Sequence, residues 1–341
     1  MQVKISISLL FFLLFLSDLS LSSSLDCNAA DRTTLLNIKS ELGNPPELST
    51  WLPATNCCTW SNVYCSDTGR INNVYLFSLN ISTTIPPSFG DLPKLETIQL
   101  QTIPGLYGTI PPSFSKLRKL EILFLTDTSV TGAIPDFLSR TNLSALDLHN
   151  NKFSGPTPMS LTKLPRLQFL DLSGNSFSGT IPPGLLHGTD RRYLYLARNK
   201  LSGEIPEDYG NGDIDTIDLS HNRLTGDPSF LFGLTKPMTK IDLSWNQLEF
   251  DMTRVAFPHH LNYLDLSHNR IKGKVPKSLQ DVQLRFLNFS YNELCGELPK
   301  GRFMANYKAD SYIHNKCLCG TPLITTICGT SYITIILLEI L

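Results

Sequence analysis

Cysteine is missing from the whole middle of the chain. None stands between Arg70 and Leu294, although eight occur in the 341 residues. Charge of a dominant sign is missing too, with 29 Lys and Arg against 30 Asp and Glu. That balance offers no bulk basic surface for nucleic acid. No glycine-rich phosphate loop, dinucleotide fingerprint or nucleophile elbow occurs. The usual marks of a cofactor-dependent or acyl-transfer enzyme are therefore absent. Near the N-terminus, one Lys, an apolar run from Ile5 to Leu16 and small residues Ser22 to Ser24 describe a secretory signal peptide over 1–24. The run is short for a membrane span.

Export decides how the cysteines are read. They form two clusters, Cys27, Cys57, Cys58, Cys65 and Cys295, Cys317, Cys319, Cys328. In an oxidising compartment this describes two stapled ends and an unstapled middle. The pairs CC and CxC do not have the usual zinc spacing. Four cysteines allow three pairings. Loop economy favours Cys27–Cys57, Cys58–Cys65, Cys295–Cys317 and Cys319–Cys328. Sequons at Asn80, Asn142 and Asn288 are glycosylation candidates in an exported chain.

The middle is one phrase repeated. Asn151, Asn175, Asn199, Asn222, Asn246, Asn269 and Asn292 each follow an apolar L-x-L pair, at spacings of 24, 24, 23, 24, 23 and 23 residues. Three earlier copies keep the apolar frame without the Asn: Val74/Leu76, Ile98/Leu100 and Leu123/Leu125. A second signature follows, as in "SGTIPP" (Ser178 to Pro183) and "KGKVP" (Lys272 to Pro276). The pattern is a leucine-rich repeat, read as about ten repeats over 71–299. The alternating pair makes a short strand with its leucines on one side, and stacked copies bury what one copy cannot. The Asn amide can donate and accept, so a column of them forms a ladder between coils. The expected class is an α/β solenoid with a concave parallel sheet and a 3-10 or irregular outer face.

The ends differ from the middle. Asp31 has the position of an N-cap, Leu35, Ile38 and Leu42 follow at helical spacing, and Gly43 and Pro45 end the helix. Residues 25–70 are read as an N-terminal cap and 300–328 as a C-terminal cap. The apolar tail 329–341 is too short to span a bilayer and lacks the polar spacer of a lipid-anchor signal.

Asp265, Ser267 and His268 supply the residue types of a nucleophilic triad. Versions of the phrase recur at Asp171, Asp218 and Asp242, which a catalytic triad would not do. Two apart on a strand, Asp265 and Ser267 are expected about 7 Å apart, beyond hydrogen-bond reach. His259–His260 has no second ligand pair at useful spacing for a metal. Neither an enzyme nor a metal or cofactor site is expected.

Specific stretches resemble the plant polygalacturonase-inhibiting proteins. They are Asp26 to Cys58, "GAIPDFLS" (Gly132 to Ser139), "FLFG" (Phe230 to Gly233), "LEFDMTRV" (Leu248 to Val255), "ELCGELP" (Glu293 to Pro299) and "HNKCLCGTPL" (His314 to Leu323). The resemblance implies the same cysteine pairing, disulfide-capped ends and a second small sheet outside the strands. It implies a secreted plant cell-wall protein of defence whose concave face blocks the cleft of fungal endopolygalacturonases. The same scaffold also carries antifreeze roles and receptor-like or developmental recognition. Pectin contact is implied through basic residues just before the ladder Asn. Here Arg198, His221, Trp245 and His268 hold that place, so one permanent cation remains.

The frame picks out the concave surface. Between the leucines stand Asp147, Asp171, Tyr195, Asp218, Asp242 and Asp265. Phe169, Tyr193 and Tyr263 precede them, and His149, Arg198, His221, Trp245 and His268 follow. Stacked carboxylates suit a partner with a basic cleft rim, and exposed aromatics suit an interface. Trp245 is the expected main contact.

Overall fold

The computed structural model describes residues 26–185, 192–323 and 328. The leader expected over 1–24 and the tail 329–341 lie outside them. Parallel strands run in chain order from Ile71–Phe77 to Phe286–Asn288, and Val63–Cys65 adds to the first of them antiparallel. Their register aligns one apolar residue per coil. Ile98 pairs with Leu123, Leu146 with Leu170, Ile217 with Ile241 and Leu264 with Leu287. These side chains are fully or almost fully buried. Several inner strands have only three residues, such as Tyr263–Asp265, and are held by the coils on either side.

The ladder follows. Asn175 Nδ2 donates to the carbonyls of Leu148, Leu172 and Ser173, and its Oδ1 accepts from Phe153 N–H. The amide thus satisfies backbone groups of its own coil and of the preceding one. Asn199, Asn222, Asn246, Asn269 and Asn292 repeat this. Leu79 and Ile103, both buried, and Thr128 hold the same place in the first coils. Without the amide to turn it, the chain there continues as two long strands, Thr97–Gly108 and Ile122–Gly132, which pass into the second sheet. Asn315 adds a rung that the repeat count missed. Its Nδ2 donates to Phe289 and Tyr312 carbonyls, and its Oδ1 accepts from Leu294 N–H.

Outside the strands runs the second sheet, through Lys152–Pro156, Ser176–Gly179, Lys200–Glu204 and Arg223–Thr225. Past Arg223–Thr225 it thins to a single parallel bridge, Asp251 with Lys272. Phe250 turns inward against Phe232, and Asp251 also accepts from Thr253 N–H to start a short turn. The outer layer is a row of 3-10 turns preceded by proline, as at Pro86, Pro111 and Pro276. Each turn delivers a buried residue, here Phe89, Phe114 and Leu279.

The N-terminal cap corrects one expectation. Helix α1 spans Ala29–Glu41, and Asn28, not Asp31, caps it by accepting from Ala30 and Asp31 N–H. Asp31 lies inside the first turn and is 2% exposed. Its carboxylate takes Arg70 Nε at 2.8 Å, Arg70 Nη2 at 2.9 Å and Ile71 N–H at 3.0 Å, which ties the helix to the first strand. Disulfides join Cys27 to Cys57, Cys58 to Cys65, Cys295 to Cys317 and Cys319 to Cys328.

Candidate recognition surface on the concave face

The aspartate column is only partly open to a partner. Asp147, Asp242 and Asp265 are 8%, 7% and 8% exposed, while Asp171 and Asp218 are half-buried. In each, Oδ1 accepts the backbone N–H two residues on: His149, Ser173, Ser220, Ser244 and Ser267. Ser220 and Ser244 hydroxyls donate to the same oxygens. The separation expected between Asp265 and Ser267 therefore fails. The strand ends at Asp265, the chain curls, and Ser267 N–H comes to 2.9 Å from the carboxylate. The curl is an Asx turn, and a residue with a short acceptor side chain is what it needs. One oxygen of each of these carboxylates is committed to the backbone, while the other meets Lys240 at Asp218 and Tyr263 at Asp242.

Two sequence-expected groups come together in the N-terminal half. Phe169 meets Phe124, Tyr193 and Tyr195 at ring distances of 6.2, 6.5 and 5.8 Å. Beside them, His149 Nδ1 lies 2.7 Å from Asp147 Oδ1, and Nε2 lies 3.5 Å from Asp127 Oδ2. The hydrogen bond to Asp147 outweighs burial and, with the charges of Asp147, Asp171 and Asp127, pushes His149 up to about 9. Ligand atoms of Asp147, His149 and Asp171 lie within 4.8 Å of one another. His149 and the two carboxylates it meets, Asp147 and Asp127, form an ion-pair network.

Along one edge runs a column that sequence reasoning recognised only in part. The residue before each ladder position is left-handed: φ is 53° at Asp127 and Asn150, 54° at Arg198, His221 and His268, 56° at Trp245 and His314, and 55° at Tyr291. Only Gly174 in this column is free of the Cβ penalty. Each N–H still pairs with the next coil, Trp245 to Ser267 carbonyl and His268 to Ser290 carbonyl. The backbone therefore spaces these side chains one per coil, and their rings stack. His221 lies 5.2 Å from Trp245, Trp245 3.7 Å from His268, His268 4.1 Å from Tyr291 and Tyr291 4.2 Å from His314. Interplanar angles of 11°, 16°, 12° and 24° make this one continuous stack. Trp245 is 49% and Tyr291 43% exposed. Burial pushes His221 and His268 below their ordinary value. The left-handed residue recurs once per coil along this edge, with or without a ring. Arg198 is exposed one coil beyond the stack.

Tyr263 stacks on Phe286 at 4.6 Å, and its hydroxyl donates to Asp242 Oδ2. One contributor was not singled out from sequence. His314 belonged to the expected cap, although "IHN" (Ile313 to Asn315) repeats the "SHN" of the coils. Lys240, which the frame places on the concave face just before its strand residues, lies 3.3 Å from Asp218 Oδ2. Of the sequons, Asn80 is exposed and Asn142 donates to Glu121 Oε1. Asn288 is on a concave strand with Oδ1 accepting from Ser290.

Comparisons with known proteins agree with this architecture. A leucine rich repeat N-terminal domain matches residues 28–66, and leucine rich repeats match 118–177, 192–211 and 260–282. A plant ice-binding protein of known structure superposes with a TM-score of 0.86 at 38% identity, over 89% of this chain and 99% of that one. A polygalacturonase inhibitor of Pyrus communis is 44% identical over 95% of this chain and 99% of its own length. Polygalacturonase inhibitor 1 of Arabidopsis thaliana is 45% identical over the same shares. Among the described residues no helix is long and apolar enough to cross a membrane. The chain belongs to the polygalacturonase-inhibitor family of leucine-rich repeat proteins.

Proposed function

We propose that this protein binds microbial, above all fungal, endopolygalacturonases through its concave face and inhibits them in the plant cell wall. The observation that carries this reading is likeness to named inhibitors over nearly the whole of both chains. The surface supports it. A stack of exposed rings, an aromatic cluster and outward carboxylate oxygens suit docking on a protein with a basic rim. In the coil of Asp265 the carboxylate accepts from Ser267 N–H and the His268 ring stacks on Trp245, which supports a binding role for these residues. Inhibition then acts by occlusion of the cleft.

The test adds purified protein to a panel of fungal endopolygalacturonases and measures release of reducing ends. Inhibition of at least one enzyme, with binding at matching concentration, is expected. No inhibition and no binding across a broad panel would overturn the reading. The likeness to an ice-binding protein supports a second reading. An ice surface calls for a flat array of one small residue type, and the mixed Asp, Tyr, Trp and His surface is unlike that. Thermal hysteresis at millimolar protein separates the two, and none is expected.

A further inference from the structure

A groove of about 900 Å³ opens in the outer layer, across the coil from the concave strands. It lies at the coils where the second sheet has thinned to the Asp251–Lys272 bridge. Its walls come from three successive coils, at 253–256, 274–278 and 297–300. Each wall brings a cation. Arg254 ends the turn Met252–Arg254, Lys277 begins the turn Lys277–Asp281, and Lys274 and Lys300 flank the groove beside Val275 and Pro299. All four are exposed. Glu297 is the one carboxylate in the lining, and it pairs with Lys300 at 3.0 Å. Among the described residues Lys274 and Lys277 make no ion pair. The rest of the lining is largely aliphatic, with Val255, Val275 and Leu298, and holds no aromatic ring. Val275 and Leu298 are 4% and 3% exposed, so charge lies at the rim and methyl groups at the floor.

We propose that this groove docks an extended acidic peptide segment of a second protein, independently of the concave face. Four cations against one carboxylate attract a chain rich in Asp or Glu. The aliphatic floor adds burial for apolar side chains of the same segment. A sugar polymer would call for ring faces to stack on, and none lines the groove. In an extended chain successive side chains point to opposite sides. A segment that alternates Glu with Val therefore sets carboxylates along one side and methyl groups along the other, which matches a cationic rim over an aliphatic floor. Neighbouring coils are about 4.8 Å apart and an extended chain advances about 3.3 Å per residue, so about four residues cross the three walls. Docking in the outer layer leaves the concave strands open, so the molecule can hold two partners at once.

The probe is a fluorescein-labelled hexapeptide of alternating Glu and Val, followed by fluorescence anisotropy with the whole protein at pH 7 and low salt. Saturable binding with a Kd below about 1 mM is expected. Lys274→Gln together with Lys277→Gln is expected to weaken it about tenfold. Glu297→Gln removes the repelling carboxylate and is expected to tighten it about threefold, a gain that misfolding cannot produce. Lys163→Gln, on the exposed outer turn Met159–Lys163 of a distant coil, should change nothing. A hexapeptide of Gln and Val should not bind, and one of Glu alone should bind less tightly. No saturable binding of the Glu-Val peptide, unchanged affinity in the double lysine variant, or an equal loss in Lys163→Gln overturns the proposal. A Glu-only peptide that binds as well as the Glu-Val peptide removes the floor and overturns it too. So does hexagalacturonate that displaces the peptide at equal or lower concentration, because the groove would then be a general polyanion seat. None of these readings depends on inhibition of any enzyme.

Discussion

Replacing Trp245 by Asn should separate what the ring stack does for stability from what it does for binding. Trp245 holds φ at 56°, a conformation that costs an ordinary L-residue about 1–2 kcal/mol. Asn tolerates that conformation, and Asn150 already occupies the same column at φ 53°. The substitution therefore recovers about 1 kcal/mol of strain. It loses ring contacts with His221 at 5.2 Å and His268 at 3.7 Å. Such contacts contribute about 0.5–1.5 kcal/mol each. With 49% of the residue exposed, little further burial is lost. The net change is a destabilisation of about 0–2 kcal/mol, read as a small shift of the urea midpoint at constant slope. Trp245→Ala loses the same contacts and keeps the strain, so it should be less stable than Trp245→Asn by about 0.5–1 kcal/mol. Binding should respond differently. An exposed Trp at the centre of an interface contributes about 2 kcal/mol or more, so the inhibition constant should rise roughly thirtyfold. A stability loss above about 3 kcal/mol would show that the stack is structural. An unchanged inhibition constant would remove Trp245 from the contact surface. Equal stability of the Asn and Ala variants would refute the strain argument.

Other perturbations test other parts of the surface. His149 titrates in the folded protein at about 9, above its ordinary 6.5, so its contribution is complete below about pH 6.5 and fades as pH rises through 9. With 32% of its side chain exposed, the contribution is about 1 kcal/mol, and His149→Gln should flatten stability between pH 7 and 10 by that amount. Asp242 has the opposite consequence: its raised value favours folding at low pH, and the gain is lost as pH rises through about 6. Asp242→Asn should therefore be more stable than the parent by about 2 kcal/mol at pH 7.5 and equal to it at pH 4. Asn246→Ala leaves Leu224 N–H without its acceptor and takes one donor from each of the carbonyls of Leu219, Leu243 and Ser244, which keep Asn222, Asn269 and His221 N–H respectively. It should cost about 2–4 kcal/mol in urea unfolding and speed hydrogen exchange at Leu224. Asp31→Ala leaves Arg70 without its partner and frees α1 from the first strand, at a cost of about 2–4 kcal/mol by the same measurement.

The repeat made most of the fold legible. A phrase that recurs every 23 or 24 residues with apolar residues two apart can bury them only by stacking, and Asn at one fixed place can satisfy only its own and adjoining coils. The same logic assigned each concave residue to a column. It failed where a local geometry overrode the strand. Asp265 and Ser267 were read as alternate strand positions, but three-residue strands end before the serine, and the carboxylate turns back to its N–H. Asp31 had the composition of a cap, yet Asn28 was better placed to accept from the first helical amides, and Asp31 was drawn inward by Arg70.

By itself, then, the sequence determined the coil period, the buried leucines, the asparagine ladder and the family. Each of these depends on spacing along one chain. Tertiary structure alone decided that the residues before the ladder are left-handed and that His221, Trp245, His268, Tyr291 and His314 stack into one strip. It alone seated Lys240 between Tyr195 and Tyr263. Those contacts join side chains more than twenty residues apart, across coils. Their distances depend on coil-to-coil register and on the sign of φ, and neither quantity is written in the order of residues.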